Sequence, residues 1–202
     1  ENEKLKKAAK DLLASKGASI VISGSNNPDI QSLIIAINKL LTSYGNTIDT
    51  SRSLNLRKGD DQQFEAFVKA LNSGGVAGVI FYNCNPVYDH PLGAQIESGL
   101  SKVKFTLSTS DRPDETSSLV KYQTPDHHYL ESWNDVEPVS GSYSLAQPTI
   151  KNIFDTRQAQ SSFLKWSGSN EDYYDFIRSN WEKDLYPMAK GFSLFDAFWD
   201  KS

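Results

Sequence analysis

His127, His128 and Glu131 place two imidazoles and a carboxylate at three- and four-residue spacing, a pattern by which one helical face can hold a metal ion. A closed zinc site takes about four ligands. The remaining histidine, His90, lies far upstream between Asp89 and Pro91, and Pro125 opposes a regular helix at this point. The metal set is therefore incomplete. Glu131, Asp135 and Glu137 crowd the same stretch, and paired carboxylates can divide acid and base roles. Beside Pro138 in a surface loop, such residues more often face water or accept backbone N–H groups. Cys84 has no basic neighbour in sequence to favour its thiolate, and no G-x-S-x-G elbow is present. No catalytic constellation emerges.

Two loops have the residues to bind rather than react. Gly24-Ser25-Asn26-Asn27-Pro28-Asp29 resembles a phosphate cradle, because amides at a helix N-terminus point at whatever sits before them. The dinucleotide fingerprint wants three glycines at set spacing, however, and Asp29 would repel an anion. Asn83-Cys84-Asn85-Pro86 follows an apolar run, where open α/β sheets bind ligands at the carboxyl ends of strands. Ser25, Asn26, Asn83, Asn85 and Glu131 are thus the candidate cofactor-binding residues, each with a plainer reading as satisfied loop polarity. Trp133, Trp166, Trp181 and Trp199 read first as core or docking anchors.

The elements that must hold these loops follow from periodicity. Leu5, Ala8, Ala9, Leu12 and Leu13 share one face of a helix over 1–15, which Gly17 closes. Ala18–Ser23 is a short apolar run that suits a buried parallel strand. Ile30, Leu33, Ile34, Ile37, Leu40, Leu41 and Tyr44 recur at helical spacing after Pro28-Asp29. Phe64, Phe67, Val68 and Leu71 do the same after a cap at Asp60 or Asp61. Val76–Tyr82, Val103–Leu107 and Leu119–Gln123 read as strands, with a short helix over Leu92–Leu100 and a turn or short helix over Asp111–Ser118. Strands alternating with helical crossovers predict an α/β fold, a three-layer α/β/α Rossmann-like sandwich with a mainly parallel sheet. Residues 124–150 read as a long ordered aromatic loop. Helices are expected over 156–166 and 171–183, and Phe192, Phe195, Phe198 and Trp199 form a cluster that must dock. The domain reading is 1–150 as the Rossmann-like domain with its aromatic loop, and 151–202 as a helical extension packed on it.

At 202 residues and 38% hydrophobic content the chain can bury a core. A formal charge of −4, with no long basic run, argues against nucleic acid as a partner. No apolar run approaches the roughly 18–20 residues that cross a bilayer. One cysteine cannot hold an iron–sulfur cluster, which takes about four thiolates. The chain begins at Glu1 without a methionine and shows no signal peptide, so an excised piece of a longer protein is expected.

The run P-D-H-H-Y-L-E-S-W-N-D-V-E-P-V-S-G-S-Y-S-L-A-Q-P-T-I (125–150) resembles a segment of molybdopterin-oxidoreductase-like subunits. The likeness is greatest to the large iron–sulfur subunit of the bacterial quinol-oxidising assembly called alternative complex III. Further landmarks recur in order: S-G-S-N-N-P-D-I-Q-S-L, the strand V-A-G-V-I-F-Y with N-C-N-P, and Asp114-Glu115-Thr116. Asn85 and Pro86 match the family's G-x-N-P loop, with Asn83 in place of the glycine. Glu131 matches its loop glutamate and Gly141 a downstream glycine. The resemblance implies the family's third, Rossmann-like domain. It also implies a parent with iron–sulfur clusters elsewhere, haem and quinol-binding partner subunits, and a periplasmic, peripheral place on the membrane. The branch resembled looks to have lost its molybdenum cofactor. The piece is then a non-catalytic structural and docking domain without a cofactor of its own. The alternatives are a domain that binds molybdopterin guanine dinucleotide in an active enzyme, and a freestanding nucleotide-binding module.

Overall fold

Asp60 begins the second half of the chain as a helix cap, its carboxylate accepting the Gln63 N–H at 3.0 Å. Helix α3 (Asp61–Asn72) follows, and its apolar stripe turns inward, with Val68 and Leu71 fully buried. Strand β1 (Gly78–Phe81) leads through the one-turn helix α4 (Pro86–Asp89) into α5 (Gly93–Leu100), then β2 (Phe105–Ser108) and β3 (Tyr122–Gln123). The three strands form a sheet in the order β1-β2-β3, parallel throughout, with Val79 opposite Thr106 and Leu107 opposite Tyr122. Val68, Leu71, Phe81, Ile96, Leu100 and Val103 make one core between helices and sheet. A Cβ on Gly99 would lie 2.8 Å from Leu71 Cγ, so only glycine lets α5 approach α3 this closely. Helices around a parallel sheet give an α/β fold, as the alternating pattern predicts.

The computed structural model describes residues 2–56 and 59–202. It divides into two compact units: Glu1–Arg57 with Pro138–Ser142, and Lys58–Glu137 with Tyr143–Ser202. The sheet lies in the second unit. In the first, helices α1 (Asn2–Ala14) and α2 (Pro28–Leu40) form where periodicity places them.

The expected strand over Ala18–Ser23 does not form. The buried Asn38 side chain replaces the strand neighbour: its Oδ1 accepts the Val21 N–H at 2.9 Å, and its Nδ2 donates to the Val21 carbonyl at 2.8 Å. Ser43 and Thr47 hydroxyls satisfy the Ser19 carbonyl at 2.9 and 3.0 Å. Ile22, expected in a core, is 81% exposed. A side-chain amide presents a single NH2 and a single carbonyl, enough to pair one residue's backbone but not to extend a ladder.

The long aromatic loop is more regular than expected. A 3₁₀ turn at Tyr129–Glu131 precedes strands β4 (Asn134–Val139) and β5 (Ser142–Ala146), which pair with each other. Gly141 turns the chain between them with φ +79°. Helix α6 (Ala159–Trp166) starts later than expected. Helix α7 (Tyr173–Asn180) is capped by Asp172 and continues as a wider turn over Trp181–Leu185. Helix α8 (Phe195–Trp199) brings the C-terminal aromatics onto α7, so Ile177, Trp181, Phe195 and Trp199 form a second core. Arg178 lies 5.1 Å from the Phe195 ring centre and pairs with Asp196.

Candidate functional site

A cavity of about 690 Å³ opens at the carboxyl ends of the parallel strands, built wholly from the second unit. Each strand feeds it a loop. Tyr82–Asn85 follow β1, Thr109–Arg112 follow β2, and Asp126–Tyr129 follow β3. Backbone bonds carry the sheet's order into these loops: Thr109 N–H donates to the Phe81 carbonyl at 3.0 Å, and Asp126 N–H to the Thr109 carbonyl at 3.1 Å. Asp126 Oδ1 then accepts the Ala159 N–H at 2.7 Å, which fixes the start of α6 against the rim. Gln160, on that helix, donates to the Tyr82 hydroxyl at 2.5 Å.

Asn83 has φ +49°, the left-handed conformation that glycine adopts freely and asparagine tolerates best among other residues. The glycine of the G-x-N-P loop thus has a backbone meaning that Asn83 still fulfils. Asn85 is engaged internally. Its Oδ1 accepts the Thr116 N–H at 3.1 Å and the Thr116 hydroxyl at 2.7 Å, and its Nδ2 donates to Glu115 at 2.7 Å. Thr116 is fully buried, and Asp114 accepts the Ser117 N–H at 2.6 Å. The Asp114-Glu115-Thr116 segment therefore locks the loop after β1 to the turn at Ser117–Leu119. Asn85→Ala would strand the buried Thr116 N–H and is expected to cost about 2 kcal/mol, measured by urea unfolding; a loss near zero would contradict this tie.

The other sequence candidates are also spoken for. Glu131 accepts the Ile153 N–H at 2.9 Å and the His128 N–H at 3.0 Å. These bonds, that from Ile153 foremost, hold its carboxyl below the usual range. Ser25 and Asn26 belong to the first unit and are not among the residues that line the cavity. There Asn27 caps α2 and takes the Asp29 and Ile30 amides at 2.8 and 3.4 Å, so the cradle's donors are already used. His90 accepts the Leu92 N–H at 3.1 Å and packs at a tilt against Phe64, and unlike His127 and His128 it does not line the cavity. Among the described residues, no three of His, Cys, Asp and Glu converge as metal ligands. Asp135 accepts the Trp181 indole N–H at 2.8 Å.

Desolvation foremost, opposed by a Tyr82 backbone bond and reinforced by the carboxylates of Asp89 and Asp114, pushes the Cys84 thiol up although the residue is exposed, which works against thiolate formation. Burial and Asp126 push the Tyr82 phenol up likewise. Arg112 lies along Asp111, with Nε–Oδ1 at 3.0 Å and Nη2–Oδ2 at 2.8 Å. Asp89, Asp114 and Asp126 also line the cavity. A diphosphate placed here would meet these carboxylates and an arginine already paired with Asp111.

Sequence reasoning missed Tyr82, Asp111, Arg112, Asp126, Gln158 and Gln160. The strand-end rule could have flagged S-T-S-D-R after β2. Gln158 and Gln160 carry no such signal, because α6 reaches the rim through tertiary bonds alone.

Tyr173, half-buried, donates to Asn134 at 3.4 Å, and burial foremost, then Asp135, pushes its phenol up to about 12. Its folded value lies above the ordinary value of about 10. The neutral form is thus favoured in the fold, and its contribution is present below pH 10 and lost as pH rises toward 12. Stability is expected to fall across that window more in the native chain than in Tyr173→Phe, as read from paired urea midpoints.

No family model matches the chain. It is similar to the molybdopterin-binding-like subunit of menaquinone reductase from Nitratidesulfovibrio vulgaris (Hildenborough). Identity is 30% over 114 residues, 53% of this chain and 16% of the relative. The match thus spans less than a fifth of that relative's length.

Proposed function

We propose that the chain is a non-catalytic structural and docking portion of a molybdopterin-oxidoreductase-like subunit in a membrane-associated, quinol-oxidising electron-transfer complex. The observation that supports its coarser part, a molybdopterin-oxidoreductase-like subunit linked to quinones, is the 30% identity to the molybdopterin-binding-like subunit of menaquinone reductase. The quinol-oxidising direction rests on the resemblance of residues 125–150. The engagement of Asn85 and Arg112 of the cavity lining, and of Glu131 beside it, with partners inside the chain supports a structural role. The proposal assigns iron–sulfur clusters to another part of the parent polypeptide and places haem and quinol-binding subunits beside it on the periplasmic side. The association proposed is peripheral; among the described residues no helix is long and apolar enough to cross a membrane.

A second reading, the cofactor domain of an active pterin enzyme, is favoured by the cavity's place at the carboxyl ends of β1–β3. Molybdenum and pterin assays on the native subunit separate the two. The first reading predicts neither in stoichiometric amount, and one molybdenum per subunit would overturn it.

A further inference from the structure

The rim of the cavity is fastened by an imidazole. His128 Nδ1 accepts the Leu130 N–H at 3.3 Å, while Glu131 reaches back to the His128 N–H at 3.0 Å, a reciprocal cap on the turn Tyr129–Glu131. That turn holds the following loop. The Leu130 carbonyl accepts the Thr149 and Ile150 N–H groups at 2.8 and 3.1 Å, and Glu131 accepts the Ile153 N–H at 2.9 Å. The two segments carry the exposed apolar side chains of Tyr129, Ile153 and Phe154, at 73, 66 and 73% exposed.

Helix caps are ordinarily Ser, Thr, Asp or Asn, none of which changes its accepting power near neutral pH. Histidine does, because its charge changes between about pH 5 and 8. We propose that His128 is a pH-sensitive latch, which fastens the rim and the segments carrying these apolar side chains when the ring is neutral and releases them when it is protonated. A proton taken from solvent at Nδ1 forms an N–H bond there and removes the lone pair that the Leu130 N–H uses. Backbone N–H cannot reverse its polarity, so the cap bond is lost. His127 differs. Its Nε2 meets the Asn152 side-chain amide at 3.3 Å, and that amide can turn over to offer its oxygen to a charged ring.

The charged groups facing His128 are Asp111, with its partner Arg112, from the loop after β2, and Glu131 with His127 from its own loop. The two carboxylates welcome an imidazolium rotated out of the cap, which gives the released state a place for the ring. The ring already lies tilted against Tyr129, with ring centres 4.3 Å apart, so release also alters an exposed aromatic of the rim.

The test is amide hydrogen exchange by NMR on the 202-residue chain, expressed as protection relative to the intrinsic rate at each pH. Protection at Leu130 is expected to fall about fivefold between pH 7.5 and 5.0, the size of one lost cap, with Thr149 and Ile150 following. In His128→Asn, which keeps a cap acceptor that does not titrate, protection should stay level over that range. Independently of any variant, the His128 Nδ1 resonance at pH 7.5 should be that of an unprotonated acceptor nitrogen. Constant protection in the native chain, an equal fall in His128→Asn, or a protonated Nδ1 at pH 7.5 would each overturn the latch. His90, which caps Leu92 with the same chemistry, is read separately at its own amide.

Discussion

Replacing Trp181 by alanine is expected to lower the unfolding free energy of the second unit by about 3–5 kcal/mol, the largest effect of any change considered. Trp181 is 3% exposed and lies against Trp199 and Phe198, at ring-centre distances of 5.7 and 6.0 Å. Its removal leaves a hole that the neighbouring rings cannot fill by small shifts, because packed interiors relax only partly. Trp181→Phe separates packing from polarity. It keeps most of the apolar area but leaves Asp135 without the indole N–H donor at 2.8 Å, and about 1–2 kcal/mol of loss is expected. Guanidinium unfolding followed by circular dichroism checks both. A loss under about 1 kcal/mol for the alanine variant would show that this cluster is not a core.

Gly93→Ala is expected to cost about 3 kcal/mol or more, through collision instead of cavity. A Cβ there would fall 2.2 Å from the Val87 carbonyl oxygen and 3.0 Å from its carbon. Both are backbone atoms of α4, which cannot turn aside as a flexible side chain would. The corner between α4 and α5 must therefore open. That corner begins at Asn85 and carries Asp89, so the wall of the cavity would move with it. Gly24→Ala is the matched control. Nothing lies within 4 Å of its Cβ, and the change should be neutral or slightly stabilising. Equal effects in the two variants would contradict the close packing assigned to the corner.

The parallel sheet was legible because crossovers announce it. Val76–Tyr82 is apolar and follows a capped helix ended by glycines, and β1 falls inside it. The run Ala18–Ser23 is also rich in β-branched apolar residues yet makes no ladder, because Asn38 supplies a partner from a residue that periodicity treats as a polar interruption. The hairpin of β4 and β5 was hidden by residues 125–150 being rich in aromatics and proline. Its signal was present in the Ser140-Gly141 turn between alternating segments. At the site, Asn83 and Asn85 were found from their place after a strand. Their roles were not readable, since the partner of Asn85 is Thr116, 31 residues downstream. Glu131 was noticed for its charge and proves to be occupied by backbone amides. The contribution of α6 to the rim depends on Asp126 meeting Ala159, a pairing of sequence-distant residues that no local pattern encodes.

Affinity isolation of the native gene product from detergent-solubilised membranes, followed by mass spectrometry and electron paramagnetic resonance, probes the central proposal most directly. An α/β scaffold within a larger electron carrier should be retrieved as part of a polypeptide that carries iron–sulfur signals, together with haem-containing subunits. Recovery of a 202-residue polypeptide alone, free of clusters and companions, would contradict it.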